Sequence, residues 1–415
     1  MPSDAATPAA PPRLSTVGVF LRFLRFGLVA WGGPTAQIAM LREELVLRER
    51  WVDEDRFRRA LAVYQALPGP EAHELCCWFG MLARGRAGSI AAGLGFMLPG
   101  LLLMLMSAWL YMRFGVRDPI VAMAFLAVQA GVLGLMIRAT AKLTMSFARG
   151  PILGIVAIIG GIAHLLLLPF WIPLAIGGAV ALAHASRLRQ LVPPLLLGGL
   201  VLVLFVGSHR GLPDALAEQG RTLTVSPPGP GTLLVTGLSG GLLSFGGAYT
   251  AVPVVRDAAV GPRGWMSDAQ FLDGLAIGGV LPAPMVIFGT FVGFLGGGLS
   301  GALLMTLGMF LPAFSFTLIG HGLLERLVAW PKARAFLDGV AASFAGLVVA
   351  TTLALLASTV RFSTDASAGL ALDRPWALAL VAATTLLFFR LKAWWTIPAV
   401  LACCALLGVA VGALG

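Results

Sequence analysis

Charge is what this chain has least of. Only 12% of its 415 residues are Asp, Glu, Lys or Arg, against roughly 25% in soluble domains. That shortage excludes an ordinary water-soluble globule. Cysteine is scarce too, and its four copies fall in two adjacent pairs, Cys76-Cys77 and Cys403-Cys404. Neither pair has C-x-x-C spacing and no histidine cluster accompanies them, which argues against a disulfide framework or a metal site. They read as small apolar helix residues. No catalytic triad or phosphate-cradling loop is present, and no cofactor is implied. The net charge of +10 is not gathered in a basic domain, so nucleic acid is not an expected partner. It reads as loops obeying the positive-inside bias. Residues 1–15 lack the basic start and apolar core of a cleavable signal peptide. Rich in Ala and Pro, they read as a disordered tail.

What is present is apolar length. The chain is 58% hydrophobic with a mean hydropathy of +0.90. Apolar runs of about 18 or more residues recur, enough to cross a ~30 Å hydrocarbon core many times. The runs are continuous rather than alternating, which sets aside a β-barrel. The expected fold is an all-α polytopic membrane protein embedded in a lipid bilayer. The first spans are expected at about Val17–Ala39 and Ala60–Ala83, with a charged stretch, Arg42–Arg59, between them.

Two apolar runs are broken where a helix should not break. Gln65-Ala66-Leu67-Pro68-Gly69-Pro70-Glu71 is one and Leu281-Pro282-Ala283-Pro284 the other. Each proline removes a backbone donor and clashes with the preceding turn. The two lie at one offset, 282 − 68 = 214, and that offset also superposes other unlike residues. Trp31-Gly32-Gly33 falls on Phe245-Gly246-Gly247, Arg42-Glu43 on Arg256-Asp257, Trp51 on Trp265 and Phe57 on Phe271. Generic hydrophobicity does not align such a set, so the chain is an internal duplication. Residues 16–190 form the first repeat, 191–230 a linking span and polar loop, and 231–415 the second repeat. The extra span Leu191–Gly207 makes the repeats opposite in orientation. Two inverted-topology six-span repeats with broken helices and one linking span give about 13 spans, the plan of an alternating-access transporter. Loop arginines and lysines favour a cytoplasmic N-terminus.

The breaks carry the expected chemistry. Non-helical backbone at membrane depth is tolerated only where it lines a cavity or meets a ligand. Pro34, Pro70 and Pro284 each read as the first residue of a new half-helix, and Gly246-Gly247-Ala248 as a fourth start. A helix N-terminus offers about +0.5 charge and free N–H donors, so four together favour a multi-oxygen anion. The candidate binding set is Gly32, Gly33, Pro34, Thr35, Gln65, Pro68, Gly69, Pro70, Ser244, Gly246, Gly247, Tyr249, Pro282 and Pro284. Close helix packing and ordinary proline kinks are the competing explanation for any one of them.

Glu71 follows Pro70 directly. An acid within an apolar segment costs about 2.5–3.5 kcal/mol on insertion scales. It is a proton-coupling candidate with His73 assisting, or else a helix-capping carboxylate. The second repeat has Met285 at the matching place, so any proton role is asymmetric. Arg42 and Arg256 are anion-attracting candidates; the competing reading makes them interfacial anchors or partners of Glu43 and Asp257. Asp273 and Asp338 are expected to pair with loop arginines, and the remaining single histidines carry no assignment.

These linked elements resemble the chromate ion transporter family in its long two-domain type. The resemblance rests on Phe26-Gly27, Trp31-Gly32-Gly33-Pro34, Arg42-Glu43-Glu44, Trp51, Phe57, Gln65-Ala66-Leu67-Pro68-Gly69-Pro70 and Gly80. In the second half it rests on Ser244-Phe245-Gly246-Gly247, Trp265 and Leu281-Pro282-Ala283-Pro284. It covers about residues 17 to 414. It implies a bacterial plasma (inner) membrane protein that exports chromate and confers chromate resistance, an antiporter driven by the proton gradient or by exchange with sulfate. The Glu71-Ala72-His73-Glu74 run is more polar than the family pattern. A sulfate-type carrier or an anion channel is the alternative, and an intramembrane enzyme using Glu71 and His73 a remote one. A homodimer is compatible with the family.

Overall fold

The structure is a computed structural model. It describes residues 11–67, 69–115, 118–210, 227–244, 248–261, 264–360, 362–365, 369–372, 375–391, 393 and 395–414. Helix dominates it, with one short antiparallel hairpin, β1 Phe362–Asp365 and β2 Gly369–Leu372.

The first half runs α1 Thr16–Leu28, α2 Gly33–Leu41, α3 Glu54–Ala66, α4 Glu71–Phe114, α5 Pro119–Phe147, α6 Gly150–Leu165 and α7 Trp171–Ala185. Helix α8, Val192–Arg210, follows. The second half runs α9 Pro230–Leu242, α10 Ala251–Ala259, α11 Asp268–Val280, α12 Phe288–Ala329, α13 Pro331–Val360, α14 Pro375–Arg390 and α15 Thr396–Leu414. The order repeats, and several ends repeat at the same shift: 16 and 28 fall on 230 and 242, and 54 and 66 on 268 and 280.

The expected first span is two short helices. Gly32 (φ 88°) and Gly33 (φ 75°) carry the chain through the left-handed region that glycine permits, and the helix ends at Leu28. The second span is also divided, with α3 ending at Ala66 and α4 beginning at Glu71. Asp53 caps α3 by accepting from the Arg56 N–H, and Ser267 caps α11 with a reciprocal capping box to Gln270.

Helix α4 folds back on itself at Arg84 and Gly85, and α12 turns at Gly298; both glycines have φ near +60° (61° and 60°). The limbs of α4 touch where Gly80 meets the Gly88 carbonyl, and those of α12 where Gly293 meets the Gly301 carbonyl. A Cβ at any of these positions would overlap backbone, so glycine sets the approach. The returning limbs carry α1 and α9: Gly27 lies on the Phe96 carbonyl, and Gly241 on that of Met309.

The two halves interlock. Helix α5 of the first half lies against α14 and α15 of the second, with Gly134 on the Thr384 hydroxyl and Gly408 on the Met123 carbonyl. Helix α13 of the second half lies against α6 and α7 of the first, with Gly346 on the Ala157 carbonyl and Gly339 on that of Gly177. Thr140 and Thr352 join α5 to α13 by a 3.1 Å hydrogen bond.

Among the described residues six helices are long and apolar enough to cross a membrane, and α6, α7 and α14 are shorter apolar helices. The chain is a multi-pass membrane protein. The expectation of about 13 spans is not met by counting whole helices. The breaks leave α1, α2, α3, α9, α10 and α11 at 9 to 13 residues, short of the ~20 residues a span needs. Helices α4 and α12 each supply two limbs instead of one.

Candidate functional site

The breaks meet in pairs, and each pair joins one half to the other. The Gly69 N–H donates to the Ser244 carbonyl at 2.7 Å. That joins the second break of the first half to the first break of the second. The converse pair is built by side chains. Gln37, buried on α2, donates from Nε2 to the Ala30 carbonyl at 2.8 Å and to the Ala283 carbonyl at 3.0 Å. Trp31 Nε1 donates to the Val280 carbonyl at 3.1 Å. Gly100 on the returning limb of α4 lies against the Ala283 methyl.

The candidate binding residues divide accordingly. Gly32, Gly33 and Pro34 start α2, with Gly32 as its cap. Thr35 is exposed and Gln65 lies at the exposed end of α3, while Gly69, Pro70, Ser244, Pro282 and Pro284 are buried. Tyr249 is half-buried against the core. Pro68, Gly246 and Gly247 lie outside the described residues. Pro70 and Pro284 are caps rather than first helical residues, since their ψ of 90° and 128° keeps both extended. One of the N–H groups expected to be free, that of Gly69, is engaged across the halves.

The acids sit at the start of α4. Glu71 is 6% exposed and accepts from Gln65. His73 is turned elsewhere, because residues two apart do not share a helix face. Its Nε2 lies 3.2 Å from the Gly93 carbonyl, its Nδ1 3.8 Å from Cys77 Sγ, and its ring stands edge-on to Phe310 and Phe314. His73 therefore does not assist Glu71 directly. The residue that sequence reading passed over is Glu74. It is 0% exposed, and neither carboxyl oxygen has a hydrogen-bond partner among the described residues. Its carboxyl occupies the space a Cβ on Gly69 would take. The rule that singled out Glu71 applies equally one turn further on.

The two arginines are taken by acids, though not by their neighbours. Arg42 Nε bonds Glu54 at 2.9 Å, and Arg256 Nε bonds Asp268 Oδ1 at 2.7 Å. Glu54 and Asp268 are themselves one shift apart, so the pair is duplicated whole. Arg256 is 4% exposed, whereas the Arg42 side chain is 41% exposed. Both guanidinium charges are thus paired with an acid. Asp257 instead approaches His164 Nδ1 at 3.5 Å, and the other ring nitrogen of His164 lies 2.9 Å from the Thr351 hydroxyl. Among the described residues Asp273 pairs with no loop arginine: Tyr111 and Gln129 each donate to it at 2.7 Å. Asp338 does lie within reach of the charges of Arg334 and Arg149. No group of His, Cys, Asp and Glu among the described residues could hold a metal ion.

A family model described as chromate transporter matches residues 17–184 and again 231–409. The matched segments start 231 − 17 = 214 residues apart, the shift of the internal duplication. The chain is 45% identical over 409 residues to a chromate transport protein of Pseudomonas aeruginosa, covering 95% of this chain and 96% of that one. It is 29% identical over 347 residues to a probable chromate transport protein of Synechococcus elongatus, covering 80% and 82%. It is 28% identical over 380 residues to a chromate transport protein of Cupriavidus metallidurans, covering 89% and 87%. No solved structure matches the chain. These relatives are transport proteins, not enzymes. The chain belongs to the chromate transporter family.

Proposed function

We propose that this member of the chromate transporter family is a secondary active carrier of tetrahedral oxyanions that exports chromate across the bacterial plasma membrane. Its two halves are inverted copies, with the N-terminus cytoplasmic, and they rock about the paired breaks. The proton gradient or exchange with sulfate drives the cycle. The observation that carries this reading is the meeting of Gly69 with Ser244, and of Gln37 and Trp31 with residues 280 and 283. These contacts tie a break of one half to a break of the other in two pairs, one through backbone and one through side chains, and a substrate that binds between the halves senses their relative position. The family relatives named for chromate supply the substrate class. Chromate and sulfate share shape and charge, so a site of neutral donors separates them weakly, which suits an exchanger.

Uptake of labelled chromate into inverted membrane vesicles tests this. Saturable uptake that responds to an imposed pH gradient or to sulfate loaded inside supports it. Uptake no greater than in vesicles lacking the protein contradicts it.

A further inference from the structure

Among the described residues Glu74 is the acid at the paired breaks that is fully buried without a hydrogen-bond partner. Its exposure is 0% and both oxygens are unbonded among the described residues. Burying an ionised carboxylate without a partner costs far more than burying the neutral acid. No hydrogen bond or ion pair among the described residues compensates its charge. Glu71, three residues earlier, is the acid that acts on it electrostatically, and that interaction is repulsive. On the same helix Cys77 supplies only a thiol and His73 is directed to Gly93. No cation among the described residues bonds the Glu74 carboxyl. On α1, Arg22 is bound to Glu44 and Glu49. Around α2 and α3, Arg42 and Arg58 share Glu54, and Arg48 bonds Glu43 and Glu44. Helix α12 presents Phe310 and Phe314. A metal cation such as sodium needs several oxygen ligands, whereas a proton needs one oxygen.

We propose that Glu74 is a proton-binding site that keeps its proton while the Gly69–Ser244 hydrogen bond holds the halves together and exchanges it with water when that break opens. Its carboxyl rests against Gly69 itself, so parting Gly69 from Ser244 moves the wall of the Glu74 cavity and admits water. Loading takes a proton from water onto one carboxyl oxygen, and emptying returns it. The loaded acid is neutral, which removes a negative charge from the place an oxyanion would enter; the ionised acid repels a dianion. Proton binding and oxyanion binding therefore reinforce each other, a linkage that suits the sulfate-exchange arm of the transport reading, since an inward proton gradient acting through it would oppose export. The second part rests on the transport reading above; the presence of the proton does not. Glu71, bonded to Gln65, is the contrast residue.

Infrared spectroscopy of the purified full chain at neutral pH tests the site. The expected result is a protonated-carboxyl stretch, shifted by deuterium exchange, that persists in Glu71→Gln and disappears in Glu74→Gln. Should Glu74→Gln not fold, Glu74→Asp serves, and the band is expected to move rather than vanish. Absence of a protonated-carboxyl band in the wild type, or a band unaltered by either change at Glu74, overturns the proposal. Sulfate and chromate binding are then measured from pH 5 to 8. Affinity is expected to fall at least tenfold as pH rises in the wild type and to stay level in Glu74→Gln. Binding that rises with pH overturns the linkage. A Glu74 band without oxyanion binding at any pH leaves the proton site standing and contradicts the transport reading instead.

Discussion

The N–H of Gly69 donates to the carbonyl of Ser244 across 2.7 Å, joining residues from opposite halves of a duplicated chain. Both lie at helix breaks, so the bond reports whether the two halves are together or apart. Gly69 also borders Glu74, and a Cβ at this position would fall on the Glu74 carboxyl. Gly69→Ala is accordingly expected to leave the protein folded while oxyanion flux drops by roughly ten- to a hundredfold, the loss that a misplacement of about 1 Å causes in positioned groups. Gly154→Ala, where nothing lies within 4 Å of the added carbon, is expected to leave flux unchanged. Vesicle flux normalised to protein content checks both.

The duplicated ion pair provides a matched comparison. Arg256 with Asp268 is buried and doubly bonded, at 2.7 and 2.9 Å, while Arg42 with Glu54 is partly open to solvent. Removing one member of a buried pair strands a charge, so Arg256→Ala is expected to cost about 3–5 kcal/mol. Arg42→Ala is expected to cost under about 1 kcal/mol. Unfolding midpoints in detergent report the difference. Equal losses would show that the two pairs share one environment.

Acid should erase the smaller effect. Burial acts to raise the Glu54 carboxyl, but hydrogen bonds from Arg42 and Arg58, together with their charges, outweigh it and hold it below the ordinary carboxylate range. A group held below its unfolded value stabilises the fold above the ordinary carboxylate value, and the contribution fades as pH falls through the lowered one. The gap between wild type and Arg42→Ala is therefore expected to be constant from neutrality to about pH 5 and to close below about pH 4. Stability curves across that range check it, and a gap that widens in acid would contradict it.

The interlocking of α5 with α14 and α15, and of α13 with α6 and α7, makes the halves depend on each other. Residues 1–210 and 227–415, expressed as two separately tagged chains in one cell, are expected to purify together and restore flux. Either chain alone is expected to give none. Independent halves that fold and migrate singly would contradict the interlock.

The breaks were legible because glycine and proline leave local marks. Gly32 and Gly33 at positive φ, Pro34 inside the first turn of α2, and helix breaks at Pro70 and Pro284 follow from backbone rules that need no tertiary knowledge, although the two later prolines sit one place earlier than expected, as caps. The shift of 282 − 68 = 214 was legible because it aligns unlike residues. The partners were not. Glu43 was one of the readings for the partner of Arg42, yet the acid it bonds, Glu54, is 12 residues on. That acid was detectable, since 54 and 268 are both acidic at the same shift. The exchange of helices between halves was not readable, because a glycine at 346 or 134 announces a close approach without naming what approaches. Glu74 was missed for a different reason: only the folded chain shows that a carboxyl one turn beyond Glu71 has no hydrogen-bond partner among the described residues.

The central claim is that oxyanion passage runs through the paired breaks. Purified protein reconstituted in liposomes, with labelled chromate flux measured against a sulfate gradient, tests it most directly. Saturable chromate movement driven by sulfate on the opposite side, and lost in Gly69→Ala, is the predicted result. Chromate flux absent from the wild type, or equal in wild type and Gly69→Ala, would contradict the account.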